Sequence, residues 1–505
     1  MKRKMFKKLM AASLAAVMTV GLAGCGNETA ESNSGNSGSQ QEQQSDSQQE
    51  QQSDTSSSEA ETPSSEEEGE VSQYTVLTDE NGNVYDLGGM EIVIRDWWSD
   101  GSVKLRNEYE EARQTYREWC METYNFTIKE QQISDWGSAP QDFIDYVTTG
   151  GDDSNYVFVL REDASITAAL DNGLMYDLST LDCLDFSEKK FTENNVHKAM
   201  SRGDYIGCMY TGTLEPRDGL YFNKRLLEEA GVNPEDLYTW QENMEWTWDK
   251  FEEVMETVQR DVDNDGVIDV WGFSGNTAGT YRPATCSNGG EWVGMDDTGH
   301  YVYRLEDAET LEALEWWVDM INKYRMQDPQ DAQWDYYKEA FITGKVAFCV
   351  EGAYCAGEGG QWSTMTDEYG FVCFPMGPRT SDYMNVAAPN PLAIPACYDA
   401  DKAWKIAFAY NLFSDPTPGW EDYAGWTTDY MNYGFDLGAL DYTIPRMVDN
   451  ILVTYDGLIQ NINTGDGFTY NLSWEGVSAC VERVRDAWKS YVDATNERVD
   501  NNNQQ

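Results

Sequence analysis

From about Tyr74 onward, short apolar runs alternate with longer stretches in which apolar residues return every three or four positions. Ile92-Val93-Ile94 reads as a buried strand ending at Arg95-Asp96-Trp97-Trp98. Behind it Leu105, Tyr109, Ala112, Tyr116, Trp119 and Cys120 fall on one side of a helix of about five turns. Phe126 and Ile128 alternate on a second strand, a helix covers Gln141 to Thr149, and Tyr156-Val157-Phe158-Val159-Leu160 is a third strand. Strand, helix, strand in this rhythm predicts an α/β fold with a parallel sheet and right-handed crossovers. Ligands on such sheets bind beyond the carboxyl ends of the strands. That rule makes Asp96, Trp97 and Trp98, then Arg161 and Glu162, the first ligand-binding candidates.

The middle of the chain is mostly helical. Thr247 is placed to cap a helix with Asp249 in its first turn and Phe251, Val254, Met255 and Val258 on one face. Leu311, Leu314, Trp317, Ile321 and Tyr324 line another helix. A short helix with Tyr336, Tyr337 and Phe341 runs into Gly344, and the strand Val346–Val350 then ends at Glu351-Gly352-Ala353-Tyr354. Pro391 to Pro395 is expected as a strand and Ala400 to Phe413 as a helix.

Several of these segments carry a resemblance. Gly219-Leu220-Tyr221-Phe222-Asn223-Lys224 with Glu228-Glu229-Ala230-Gly231 resembles the tyrosine, asparagine, lysine segment of the extracellular solute-binding proteins of ABC importers. Trp246-Thr247-Trp248-Asp249-Lys250-Phe251 is similar to the helix start that follows it there. Phe341-Ile342-Thr343-Gly344-Lys345-Val346-Ala347-Phe348 resembles the helix-to-strand step, and Tyr369-Gly370-Phe371 with Phe374-Pro375-Met376-Gly377-Pro378 resembles the crossing back to the first lobe. The resemblance, to the sugar-binding branch, implies a two-lobe periplasmic-binding-protein-like fold with a hinge and an interlobe cleft that clamps its ligand. It also implies an ABC permease as partner and no enzymatic activity. Lobe one is expected at 74–214 plus 379–428, lobe two at 215–378 plus 429–498, and a polar tail at 499–505. Tyr210, Arg217, Glu351 and Tyr354 then follow strand ends facing the cleft, although a surface ion pair is the commoner fate of an arginine such as Arg217 or Arg161. Trp97, Trp98, Trp240, Trp292, Trp362 and Trp426 fall in apparent loops and are candidate ligand contacts, whereas Trp119, Trp317, Trp404 and Trp488 sit in helical patterns and are expected in the core.

The start of the chain adds a location. Lys2, Arg3, Lys4, Lys7 and Lys8 precede an uncharged, largely apolar run from Leu9 to Gly24, too short for a comfortable membrane span and flanked as a secretory signal is. It ends in Leu22-Ala23-Gly24-Cys25, which resembles the lipobox of bacterial lipoproteins. Residues 1–24 are thus expected as a signal peptide, with Cys25 as the lipidation site. Its sulfur would carry diacylglycerol and its palmitate-type chains would hold the protein on the outer face of the cytoplasmic membrane. Residues 26–73 contain no Lys, Arg or aromatic residue. Gln40–Asp46 recurs as Gln48–Asp54, the composition of a disordered tether about 35–40 Å in root-mean-square span.

Composition narrows the chemistry. The formal charge is −54, and dropping the five basic residues of the leader takes Lys+Arg from 35 to 30 against 89 Asp+Glu, a charge of −59. Nucleic-acid binding needs the opposite sign and is excluded as a main role; anionic lipid would repel the folded part, leaving the acyl group as its membrane contact. With Cys25 lipidated, nine cysteines remain, an odd number in a large chain that needs no staples. Some, such as Cys349 and Cys373, sit in apolar runs and are expected as small core residues. Only His197 and His300 are present; no Ser-His-Asp or Cys-His arrangement is evident, a histidine-based zinc site is nearly impossible, and both are expected at the surface. A monomer is expected.

Aromatics make up 13% of the chain, with 18 Trp and 30 Tyr. Sugar rings pack their C–H faces on such rings while their hydroxyls take Asp, Glu, Asn and Arg partners. A saccharide cleft would use this composition; a secreted glycoside hydrolase, or a binding protein for a peptide or other solute, remain the alternatives. No catalytic cofactor is expected. Asp261, Asp263, Asp265, Val267 and Asp269 have the spacing of a calcium loop, with Gly266 at the turn and the usual acid at position twelve replaced by Gly272. A structural calcium ion is expected there, against the alternative of a solvated acidic turn.

Overall fold

A computed structural model of the protein describes residues 74–504, apart from 162–163, 358, 388, 424, 426–427 and 429–433. Cys25, Glu162 and Trp426 lie outside the described residues. The chain divides into a unit ending at Asn83 and a unit from Val84 to Gln505. In the first, the Asp79 carboxylate accepts the backbone N–H groups of Asn81 and Asn83, both at 2.8 Å, and shapes a turn.

The second unit opens with β1 (Met90–Asp96), α1 (Glu108–Tyr124), β2 (Phe126–Gln132), α2 (Ala139–Thr148), β3 (Asn155–Val159) and α3 (Ala164–Asp171). β1 lies between β2 and β3 and is parallel to both. The helix α1 begins later than the apolar spacing suggests. Asn107, extended and able to accept the Glu110 N–H, offers a cap that Leu105 cannot, and Leu105 is left exposed in the preceding loop. Asn125, at φ 55°, closes the same helix.

A second sheet follows, built from β4 (Asp218–Asn223), β5 (Trp271–Gly275), β6 (Val346–Gly352) and β7 (Tyr369–Cys373) in the order β7-β4-β6-β5. β4 runs antiparallel to both neighbours, while β5 and β6 are parallel. Between these strands come α4 (Pro234–Glu242), α5 (Trp248–Val258), α6 (Thr277–Ser287), α7 (Ala308–Tyr324) and α8 (Tyr336–Ile342). Thr247 caps α5 and buries the expected face of Phe251, Val254, Met255 and Val258. All of β6 is buried, as its unbroken apolar run implies.

The chain returns through β8 (Asn385–Ala387) and β9 (Leu392–Ala393), the latter antiparallel to β3 and completing the order β9-β3-β1-β2. The strand expected over Pro391–Pro395 shrinks to these two residues because the prolines bounding it have no N–H to give a ladder. α9 (Ala400–Phe413) covers the first sheet, with Ile406, Ala407 and Phe408 in a core shared with Ile92, Ile94, Phe126 and Val157. β10 (Ile451–Val453) pairs with β8 outside both large sheets, and α10 (Val477–Asn502) ends the chain. Val499 is buried in α10, so helix continues into the expected polar tail.

Trp317 and Trp488 are buried and Trp119 and Trp404 half-buried, as their helical spacing implies. Among the described residues all nine cysteines are free thiols, and Cys349 and Cys373 are fully buried. His197, expected at the surface, is instead buried and stacked on Phe186 at 4.9 Å. Burial holds its pKa down to about 4, so it packs as a neutral ring.

A buried ionic network crosses the second unit. Arg202 donates to Asp171 of α3 at 2.7 Å, to the Tyr301 hydroxyl at 2.9 Å and to the Leu458 carbonyl at 2.8 Å. Arg498 of α10 reaches the other Asp171 oxygen at 3.1 Å. The Arg202 and Asp171 side chains are 1% and 0% exposed.

Candidate ligand cleft

The carboxyl ends of β5 and β6 and the start of β4 share one edge of the second sheet, with Gly352 opposite Asp218 and Glu351 opposite Gly219. Glu351 is 9% exposed and accepts from the Tyr337 hydroxyl at 2.6 Å, the Tyr354 hydroxyl at 3.1 Å and the Gly352 N–H at 3.0 Å. Lys338 Nζ stands 3.3 Å from it. Tyr337 and Lys338 come from the first turn of α8, held at this edge by the Ser274 hydroxyl of β5 donating to the Tyr337 carbonyl at 2.8 Å. Burial, then the Glu351 charge, push the Tyr337 and Tyr354 phenols above their ordinary range, so both stay protonated donors. The Arg217 guanidinium lies 4.7 Å over the Tyr354 ring. Here the structure brings together three of the expected residues, Arg217, Glu351 and Tyr354. Tyr337 and Lys338 complete the cluster without having signalled themselves, because the docking of α8 alone puts them there.

Asp218 belongs to the same edge. Burial raises its pKa, Arg217 and Arg282 oppose, and Glu351 adds to the rise, leaving it at about 6. An acid raised in the fold stabilises fully below its unfolded value, and that contribution is lost as pH rises through about 6. Asp218→Asn should therefore gain on the native protein by about 1–2 kcal/mol between pH 4.5 and 7.5. Urea unfolding of both proteins at the two pH values checks this, and an unchanged difference would refute it.

The parallel strands of the first sheet also leave by one edge. Asp96 is 1% exposed and is not turned outward: it accepts the N–H groups of Trp98 and Ser99 at 3.1 and 2.9 Å and the Ser99 hydroxyl at 2.5 Å. It shapes the turn that presents Trp98, which is 53% exposed, while Trp97 packs against the lobe-one core. Arg161 donates to the Trp136 carbonyl at 2.9 Å and lies 4.1 Å over the Trp136 ring. Trp136 is 59% exposed on a turn in which the Asp135 carboxylate accepts the N–H groups of Gly137 and Ser138. Its signal was a lone tryptophan among the turn residues Ser134-Asp135-Trp136-Gly137-Ser138 directly after a strand. Trp334, just before α8, is a further exposed ring at 76%.

Other expected positions lie elsewhere. Trp240 is in α4, not a loop, half-buried and stacked on Trp246 at 6.5 Å with Lys250 5.0 Å away. Trp292 and Trp362 are buried: Trp292 donates to the Thr285 hydroxyl at 3.1 Å, and Trp362 packs on Tyr221 and Phe341. Tyr210 is partly buried against the lobe-one core, and burial raises its phenol pKa. In the acidic turn, carboxylate oxygens of Asp261, Asp263 and Asp265 lie within 4.8 Å of one another, whereas Asp269 turns back to accept the Val262 N–H at 2.7 Å.

Two α/β sheets, one with exposed aromatic rings and the other with a paired ionic cluster at its strand ends, make up a two-lobe α/β fold. Residues 210–407 match the model of the family described as bacterial extracellular solute-binding protein, bearing out the resemblance read from the sequence. In fold the chain is similar to the GacH receptor of Streptomyces glaucescens, solved unliganded and with acarbose, at 14% identity and a TM-score of 0.53 over 80% of this chain and 99% of that one. It is also similar to a sugar transporter from Rhizobium etli in an open conformation, at 14% identity and a TM-score of 0.51 over 82% of this chain and 99% of that one. No curated protein matches the chain.

Proposed function

We propose that the protein is an extracytoplasmic solute-binding protein, anchored through lipid on Cys25, that captures a mono- or oligosaccharide and delivers it to an ABC permease. The observation that carries the ligand class is the pairing of chemistries at the strand ends. Lobe one offers exposed indole faces at Trp98 and Trp136, and lobe two the compact donor and acceptor set around Glu351. Sugar C–H faces and hydroxyls need both. The sugar-related functions of the two similar structures support the same ligand class. Among the described residues no helix is long and apolar enough to cross a membrane.

The test is thermal melting of the full chain against mono- and oligosaccharides, with the sugars analysed afterwards. Stabilisation by a sugar at a hundred-fold excess over its Kd should contribute about 2.7 kcal/mol, with the sugar recovered intact. Stabilisation by peptides and by no sugar would move the ligand class. A second reading has one observation in its favour: Asp218 and Glu351 are neighbouring carboxyls, and the first has its pKa raised to about 6, as hydrolase acids do. Cleavage products in the same samples would favour it.

The acidic turn is read as a weak structural calcium site, with Asp261, Asp263 and Asp265 as carboxylate ligands. The full chain should melt about 2 °C higher in millimolar calcium than in EDTA, and Asp263→Asn should remove the difference. Identical melting in calcium and EDTA would reduce the turn to a solvated one.

A further inference from the structure

The last helix, α10, is bonded to both lobes. It is 26 residues long, about 39 Å, with no Gly or Pro inside it. Its first half belongs with lobe two. Trp488 packs on Phe468 at 5.2 Å, Phe468 on Trp292 at 5.4 Å, and Trp292 donates to Thr285 in α6. Its end belongs with lobe one. Arg498 meets Asp171 at 3.1 Å, the Asn502 carboxamide donates to the Arg202 carbonyl at 2.8 Å, and the Asn503 side chain accepts the Asp204 N–H at 3.0 Å. Asp171 ends α3, and Ala199 and Met200, just before Arg202, share a core with Phe158 of β3. We propose that α10 is a strap: it locks the two lobes together on the side away from the cleft, so the free protein holds its cleft at one opening instead of swinging on a hinge. The strap does not depend on what the ligand is.

The place of these contacts follows from the topology. α3 starts beyond the carboxyl end of β3 and runs back for eight residues, about 12 Å, which puts Asp171 behind the cleft edge. A hairpin of Val293–Met295 with Tyr301–Tyr303, between α6 and α7, joins the strap on the same side. The N–H and the carbonyl of Tyr301 both pair with the Asn496 carboxamide of α10, at 2.8 and 2.9 Å. The Tyr301 hydroxyl accepts from Arg202 and donates to the Ala199 carbonyl, each at 2.9 Å. Hairpin and helix thus grip the same turn of lobe one. Gly203 in that turn lies against the backbone of α10, since a Cβ there would stand 2.7 Å from the Val499 carbonyl oxygen.

These bonds leave the lobes little play. Trp488 and Arg498 lie about 15 Å apart along the helix. A lobe rotation of about 15° would displace groups at that separation by about 4 Å, more than a hydrogen bond tolerates. Helices bend sharply at Pro, at Gly/Ser pairs or at a bulge, and α10 has no Pro or Gly to absorb the motion. Slippage would instead pull Arg498 from Asp171 and Asn496 from Tyr301, whose side chain and residue are 0% and 2% exposed. Separating buried polar partners is costly.

Single-molecule energy transfer on the full chain, with no ligand added, tests this. Dyes are clicked onto azido side chains introduced at Val103, in the loop after β1, and at Gln333, just before α8, both exposed. A control pair at Glu245 and Gln333 sits within lobe two. The pair across the cleft should give one population, no broader than the control pair. The triple variant Asn496→Ala, Arg498→Ala and Asn502→Ala keeps Val499 in place and removes the side-chain bonds of the strap. Its cross-cleft distribution should broaden or split while its control pair stays unchanged. Two populations in the native chain, or a cross-cleft width beyond the control, would overturn the strap. A folded variant as narrow as the native chain would overturn the role of α10. The native chain decides whether the cleft is fixed even where the variant does not fold.

Discussion

Arg202→Met should destabilise the protein by about 3–5 kcal/mol, the cost of leaving one member of a buried ion pair without its partner. The Asp171 side chain is fully buried and, among the described residues, would keep Arg498 at 3.1 Å as its counter-charge, while the Tyr301 hydroxyl and the Leu458 carbonyl would both lose the Arg202 donor. The loss should be nearly independent of salt, because ions screen an enclosed pair weakly. The double variant Asp171→Leu with Arg202→Met should recover most of it, since removing both charges removes the desolvation cost as well. Urea unfolding of the three proteins measures this. A single variant within about 1 kcal/mol of the native protein would show that the network is not sealed from water.

Glu351→Ala should carry the second large effect, on binding and stability together. The carboxylate is the acceptor for two phenols and one backbone N–H and the counter-charge for Lys338, which is itself 12% exposed in its side chain. Without it these donors converge on nothing. Affinity for the best sugar should fall about a hundredfold, with a loss of about 2–3 kcal/mol in stability. Glu351→Gln, keeping the shape and one acceptor oxygen, should lie between. A stability loss with unchanged Kd would make Glu351 a support for the edge of the sheet and place the ligand elsewhere.

Much of the framework was legible because it rests on local physics. Alternation of apolar runs and helical periodicity located β1, β3, α5 and α9, and Thr247 declared its cap by its side chain alone. Misreadings came where an apolar or aromatic residue had two available fates. Leu105 continues the spacing of α1 yet stands outside it, because the helix starts where a carboxamide can take the first free N–H. Trp292 and Trp362 read as cleft residues because their segments look like loops. Both are core, since packing can bury a ring from any backbone conformation.

By itself the sequence determined the alternating α/β elements, the strand ends where a ligand would be sought, and the segments that resemble the solute-binding proteins. These depend on side-chain periodicity and short-range hydrogen bonding, which act between residues close in the chain. Only the tertiary structure decided that Asp96 turns inward while Trp98 and Trp136 face out. It also brought Tyr337 and Lys338 to Glu351, and paired Arg202 with an aspartate 31 residues away and with Arg498 through it. Electrostatic partners and exposed faces depend on which distant segments dock together, and no local pattern encodes that choice.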